Sequence, residues 1–289
     1  MKHTTGGNNT AVGKGALDVN TTGNNNTAVG YDALDANTTA DSNTGLGFAA
    51  LGGNTTGANN TAVGVNALLS NTTASFNVAV GAASLDANTT GANNVAVGYA
   101  ALTANTTASE NTAIGYNALS KNTTGTGHVA VGFEALKETT TGDANTAVGV
   151  DALRNNTTAA NNTAMGYDAL RSNTTGVDNT AFGRSALTTN STGTSNVGIG
   201  VSALRVYTGS ENVAVGYHAM YNTSTGGDSV AVGHKAMFSN TTGNVSVAVG
   251  DAALYSNTDG WGNVAIGYLT LQDNTSGDGN VAMGYKALT

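Results

Sequence analysis

Apolar residues recur at a fixed interval along this chain of 289 residues. A glycine closes a short apolar segment in every copy, and successive glycines lie 17 residues apart from Gly13 to Gly200. The interval is 16 once, between Gly200 and Gly216, and then returns to 17 as far as Gly284. Because copies of constant length can stack on one another, the pattern predicts a solenoid of seventeen coils.

The positions within one copy predict how each coil is built. The residue before the glycine is Val, Ile, Leu, Met or Phe, and the residue two places earlier is Thr or Val, as in Val29 and Thr27. This alternation is typical of a β-strand, and the small residue between them, such as Ala28, is predicted to face the other side. Four residues after the glycine stands Leu or Met, in a segment that fits either a second short strand or one helical turn.

These positions together predict an all-β fold, a parallel β-solenoid or β-roll of seventeen 17-residue coils. We expect one repeat domain over residues 1–289, with coil corners at Gly13 to Gly284, a one-residue deletion near 206–209 and no capping segments. Successive strands about 4.8 Å apart would make a rod of roughly 80 Å.

Composition bears on how such a rod is stabilised. Aromatic residues make up 6% of the chain, charged residues 10%, and glycine contributes 40 residues, so each coil has a narrow core. A thin rod buries little surface, which makes a single one marginal. The Ala and Gly positions would form a smooth face against which a second chain packs, or they merely fit a tight bend.

Charge and residue types argue against several functions. A net charge of -8 disfavours nucleic acid as a partner, because phosphate binding depends on Lys and Arg. The histidines His3, His128, His218 and His234 lack metal-ligand spacing, and the chain has no cysteine. We therefore predict no metal, no cofactor and no enzymatic activity. The sequence contains neither the apolar stretch of a secretory signal peptide nor the run of about 20 apolar residues that spans a membrane.

Polar residues repeat in the same register. Asn stands four residues before the glycine and again seven residues after it in most copies, as at Asn26 and Asn37. Stacked amides can hydrogen-bond along the solenoid and satisfy turn backbone, so these columns are predicted to be structural. Threonine pairs such as Thr21-Thr22 raise the alternative of an ice-binding face, although adjacent threonines in a strand point to opposite sides.

An interrupted aromatic row directly follows the glycines. A row of this kind could stack on sugar rings, or it could be variable packing at a coil corner. Its members are Tyr31, Phe48, Tyr99, Tyr116, Phe133, Tyr167, Tyr217, Tyr268 and Tyr285.

Segments such as Asn77-Val78-Ala79-Val80-Gly81 resemble the head repeat of YadA-like trimeric autotransporter adhesins. The longer unit over residues 26–34 is also similar to repeats of phage and bacterial tail-fibre proteins. The resemblance implies a parallel β-roll whose three chains associate side by side in a fibre on a cell surface or a virion. It also implies a surface glycan as a possible partner.

The two ends of the sequence lack polar caps, which predicts that the C-terminal coil of one molecule can continue into the N-terminal coil of another. Such a contact does not close and generates filaments. We accordingly expect a structural fibre or filament subunit, with a glycan-binding adhesin or tail-fibre shaft and an ice-binding solenoid as alternatives. The residues expected at the end-to-end contact are Lys2, His3, Thr4, Thr5, Tyr285, Leu288 and Thr289.

Overall fold

A computed structural model describes residues 5–289, and in them every regular element is a strand of three residues. Each strand ends at the residue before a corner glycine, which is the glycine that closes each copy of the repeat. The strands are β1 (Thr10–Val12), β2 (Thr27–Val29), β3 (Thr44–Leu46), β4 (Thr61–Val63), β5 (Val78–Val80), β6 (Val95–Val97), β7 (Thr112–Ile114), β8 (Val129–Val131), β9 (Thr146–Val148), β10 (Thr163–Met165), β11 (Thr180–Phe182), β12 (Val197–Ile199), β13 (Val213–Val215), β14 (Val230–Val232), β15 (Val247–Val249), β16 (Val264–Ile266) and β17 (Val281–Met283).

The contacts divide the chain into two units, which end and begin at Asn145 and Thr146. Strands β1 to β8 lie in the first unit and β9 to β17 in the second. Within each unit, every strand pairs in parallel with the strand of the next coil, so that equivalent residues are neighbours, as Ala79 is to Ala96. The predicted all-β parallel solenoid is therefore confirmed. One continuous domain over residues 1–289 stays a prediction, as does the number of chains.

The segment after each corner glycine is neither a second strand nor a helical turn, and both expectations were wrong. It is an irregular turn in which the Leu or Met has left-handed backbone, with φ between +49° and +55° in all seventeen copies. The N–H of the Leu or Met bonds to the neighbouring coil, as the amide of Leu34 donates to the carbonyl of Ala50 at 3.0 Å, while other N–H groups of the turn make local bonds across three residues, as Asn37 does to Leu34 at 3.2 Å. Bonding between coils thus replaces the local pattern that a helix would require.

The strand residues alternate between two sides, as predicted, but the expected smooth outward face of Ala and Gly positions was wrong. The central Ala points into the coil, where Ala79 and Ala96 are fully buried, whereas the Thr and Val residues on either side face outward. The coil is too narrow for more than a Cβ here, because a Cβ built on Gly198 would lie 3.2 Å from the side chain of Leu187. The alanines consequently line the core and cannot form the smooth lateral face that we expected.

One coil is a residue shorter than the rest, and Tyr207 fills the gap. Its side chain is 1% exposed and enters the column that Asn190 occupies in the preceding coil. The phenol donates to the carbonyl of Gly226 at 2.9 Å and accepts from the side-chain Nδ2 of Asn212. Strand pairing continues across the short coil, since Val197 is still the partner of Val213.

The left-handed leucines lead to a stability prediction. Leu102 is fully buried with φ +55°, a conformation in which β-branched residues are strained. We expect Leu102→Ile to lower the free energy of unfolding by about 3 kcal/mol and Leu102→Met by about 1 kcal/mol or less. Urea unfolding followed by circular dichroism measures both. Equal effects of the two substitutions would contradict the left-handed geometry.

Candidate interaction surface

The outward face of the strands carries two columns of side chains. The first column, three residues before the corner glycine, is Thr or Val, and the second, directly before it, is Val, Leu, Ile, Met or Phe. Members of the second column remain open to solvent, with Val12 57%, Leu46 45% and Phe182 52% exposed. From β12 to β17 the first column is Val in every coil, so that both outward columns are apolar there.

The aromatic row lies beside these columns, on the far side of the corner glycines. All nine of its members are more than two-fifths exposed, from Tyr31 at 45% to Tyr285 at 72%. The row and the outward strand columns together form what we call the apolar strip. Single exposed apolar residues are ordinary, but an apolar row repeated in successive coils is typical of an interaction surface.

Neighbouring rings of the row stack on each other. The ring centroids of Tyr99 and Tyr116 are 5.4 Å apart with planes 13° apart, and those of Tyr116 and Phe133 are 5.3 Å apart at 8°. Tyr31 stacks on Phe48 in the same way, and Tyr268 on Tyr285. The faces of these rings are therefore turned toward the adjacent coils, which leaves ring edges for a partner.

A second aromatic stack was missed by the sequence reasoning. It lies five residues after the corner glycine, where Tyr221 and Phe238 stack at 5.3 Å and Phe238 and Tyr255 at 5.1 Å, nearly parallel. The signal was present in the sequence, since this position is aromatic in three successive coils and in no others.

The threonine pairs divide between two roles. The hydroxyl of the first threonine donates to a carbonyl of the next coil, as Thr89 does to Thr106 at 3.0 Å. The second threonine, such as Thr90, is exposed. One threonine per pair is thus left for solvent, in a single column.

The asparagine columns are structural, as predicted. The side chain of Asn94 is fully buried and makes two hydrogen bonds: Oδ1 accepts from the backbone amide of Asn111 at 3.0 Å, and Nδ2 donates to the carbonyl of Ala108 at 2.9 Å. The backbone amide of Asn94 in turn donates to Asn77 Oδ1 at 2.9 Å. The other column behaves similarly, with Asn105 Nδ2 donating to Asn88 Oδ1 at 2.9 Å. These amides connect consecutive coils inside the solenoid.

His128 takes one asparagine position in this ladder. It is 1% exposed, and its Nδ1 accepts from the amide of Asn145 at 3.2 Å, as an asparagine Oδ1 would. Burial lowers the pKa of His128 from its ordinary value of 6.5, and the Gly142 carbonyl and the Asp143 carboxylate oppose this only in part. The imidazole is therefore held neutral.

This burial predicts a pH dependence. When a buried histidine has a lowered pKa, the unfolded chain binds its proton first, so stability falls as the pH drops below the unfolded value of 6.5. The slope approaches about 1.4 kcal/mol per pH unit. Urea unfolding between roughly pH 7.5 and 5 should show a larger loss in the wild type than in His128→Asn, because the substitution removes the contribution of His128 and keeps that of His218, whose pKa is also lowered. Identical pH profiles would contradict a neutral His128.

Residues expected at an end-to-end contact fall partly outside the described chain, because Lys2, His3 and Thr4 precede it. The amide of Thr5 donates to the carbonyl of Thr21 at 2.8 Å. Tyr285 and Leu288 are 72% and 65% exposed, and the Thr289 hydroxyl donates to the carbonyl of Lys286 at 3.3 Å. The contact itself stays a prediction.

No pocket opens on the surface of residues 5–289, and no group of three or more His, Cys, Asp or Glu residues in that range could hold a metal ion. The same residues include no helix that could cross a bilayer.

No protein family profile matches the chain, and none of the curated proteins matches it. The fold therefore defines a parallel β-solenoid repeat protein, and the resemblance to adhesin heads and tail fibres stays an expectation.

Proposed function

We propose that this protein is a structural fibre subunit that associates side by side with copies of itself through the apolar strip, without enzymatic activity. The observation that carries the proposal is the repetition of exposed apolar side chains on one face in successive coils. Removing such a surface from water is favourable by about 25 cal/mol per Å².

A second copy suits this surface better than a globular partner does. Each copy presents its apolar residues at the same spacing of one coil, about 4.8 Å, so two strips can match over many coils. A compact partner would cover only a few of them. The resemblance to adhesin heads and tail fibres agrees with lateral association, and it also supports three chains and a place on a cell surface or virion.

Lysines on the outward strand column test the proposal. We expect the wild type to sediment as an oligomer and the variant Val215→Lys, Val232→Lys, Val249→Lys to sediment as a monomer, because each lysine would have to be desolvated in the interface. Sedimentation velocity over a range of concentrations measures this.

The matched control places three lysines at the exposed position nine residues after the corner glycine, as Thr225→Lys, Thr242→Lys, Ser276→Lys. It changes the net charge equally and should keep the oligomer. Circular dichroism should be the same for all three proteins. A wild type that stays monomeric at every concentration, or an oligomer unaffected by the strip lysines, would contradict the proposal.

End-to-end growth would add length to such a fibre. Electron microscopy at rising protein concentration separates the two forms of assembly, since polymerisation lengthens the particles and lateral association only thickens them.

Ice binding is a second candidate, favoured by the outward threonines of the first strands. Thr10, Thr27, Thr44 and Thr61 are consecutive in-register partners on the sheet face. A regular hydroxyl column of this kind is what an ice lattice would contact. Thermal hysteresis of the wild type tests it, and a solution that freezes as its buffer does would exclude it.

A further inference from the structure

A group of cations lies on one turn face of the second unit. We call the residues one, two and five places after each corner glycine the turn face. Arg184, Arg205 and Lys235 stand on it, and none of the three forms an ion pair with a carboxylate of the described chain. These three residues are the basic turn patch. The nearby His234 differs, because its Nδ1 lies 3.0 Å from Asp251 Oδ1.

The surroundings of the basic turn patch leave its charge uncompensated. Arg205 lies 5.6 Å from the ring centroid of Tyr221, and the Lys235 ammonium 6.0 Å from that of Phe238. Burial lowers the pKa of His218, and the basic side chains of Lys235, His234, Arg205 and Arg184 lower it further. Positive charge therefore accumulates here in a chain whose net charge is -8.

The equivalent positions of the repeat carry the opposite charge in the first unit. Asp18, Asp32 and Asp35 stand five, two and five residues after their corner glycines, and none of them is ion-paired among the described residues. Burial raises the pKa of Asp35, and repulsion from Asp32 and Asp18 adds to it. We call these three residues the acidic turn patch. Lys14, which directly follows the corner glycine Gly13, has its ammonium 5.4 Å from the ring centroid of Tyr31.

We propose that the basic turn patch of one copy binds the acidic turn patch of a second copy and so fixes the register in which two subunits associate. This inference rests on the proposed self-association and names the contact that aligns it. A second copy is the partner because this chain carries both a basic and an acidic patch at equivalent positions of the repeat. Its net charge of -8 repels a polyanionic partner. The aromatic row belongs to the turn face and to the apolar strip, so the two surfaces are continuous.

The expected change in the association constant follows from the solvent exposure of the charged residues. Exposed ion pairs contribute little each, and charge complementarity mainly selects partners and register. Reversing three charges turns attraction into repulsion, and we expect the association constant to fall by roughly tenfold or more. Raising the ionic strength from roughly 0.05 to 0.5 M should also lower the association constant of the wild type.

The test uses reversals that the fold already accepts at equivalent positions. The first variant is Asp18→Arg, Asp32→Lys, Asp35→Arg, since Arg205 and Lys235 occupy those columns in other coils. The second is Arg184→Asp, Arg205→Asp, Lys235→Glu, for which Asp251, Asp18 and Glu134 are the precedents. A control with the same charge change as the first variant, away from the turn face, is Glu110→Lys, Asp178→Lys, Asp259→Lys, all of them exposed.

Sedimentation velocity of each protein alone and of mixtures gives the outcome. Each reversed variant alone should associate roughly tenfold more weakly than the wild type. An equimolar mixture of the two should associate again, because each then meets its complement on another molecule, and the control should match the wild type. Reversed variants that associate as well as the wild type, or a mixture that recovers nothing, would overturn the contact. Failure of the wild type to associate would instead reject the proposed function.

Discussion

Gly216→Ala is expected to lower the free energy of unfolding by about 4 kcal/mol or more. Gly216 has φ +137°, a conformation that residues with a Cβ rarely adopt. A Cβ built there would lie 2.3 Å from the carbonyl oxygen of Gly233 in the next coil, and that oxygen belongs to the backbone and cannot move aside. Thermal and urea unfolding followed by circular dichroism measure the loss.

Gly227→Ala is the matched control. Gly227 lies in the same unit, has no positive φ, and a Cβ built on it would lie 3.4 Å from the nearest atom, the carbonyl oxygen of Ser210. Ala58 and Ala92 already occupy equivalent positions. We expect a change within about 0.5 kcal/mol. If both alanine variants unfold at the same urea concentration, the corner geometry described above is wrong.

Asn94→Val is expected to destabilise the protein by about 2–4 kcal/mol. The substitution leaves the amide of Asn111 without the acceptor that it now finds at 3.0 Å, and it removes one donor from the carbonyl of Ala108. Both groups are closed off from water, so neither loss can be replaced by solvent. The midpoint of urea unfolding reports the effect.

Asn94→Ser separates hydrogen bonding from side-chain volume. Serine already stands in this column, where Ser246 Oγ accepts from the amide of Asn263 at 3.1 Å. A serine at 94 should accept from Asn111 in the same way and cost less than half as much as valine. A serine variant no more stable than the valine variant would show that the ladder contributes through packing alone.

The period of the repeat made much of the fold predictable. Corner glycines 17 residues apart predicted that equivalent residues of successive coils pair in parallel, and the structure pairs Thr27 with Thr44 accordingly. The asparagine columns could also be predicted, because an amide can both donate and accept along a stack. Period is a property of the whole sequence, so it survives errors about any single residue.

The direction of the strand side chains could not be read from alternation, which is the same whichever face is inside. The expected smooth face required Ala28 to point outward, but Ala28 is buried in the coil and Val29 faces outward. Core volume depends on how sharply the chain turns after the corner glycine. The sharpness of this turn depends on the left-handed backbone of Leu34. No propensity scale for helices or strands describes that conformation.

A signal for the left-handed turn was nevertheless present. The position is Leu in fifteen copies and Met in two, yet never Val or Ile, although Val dominates the strands. Exclusion of β-branched residues from a buried aliphatic position indicates positive φ. Exposure of the aromatic row was likewise foreseeable from its tolerance of Lys14 and Asp251, whereas the stacking of its rings required coordinates.

Distances along one column test the stacking of coils most directly. The chain has no cysteine, so spin labels can be placed in pairs on the exposed threonine column of the first unit. For Thr39 with Thr107, Thr39 with Thr124 and Thr22 with Thr124, four, five and six coils apart, pulsed dipolar spectroscopy should give backbone separations near 19, 24 and 29 Å, at about 4.8 Å per coil. Distances that are broad, or that do not rise by the same step with each added coil, would contradict a parallel solenoid in register.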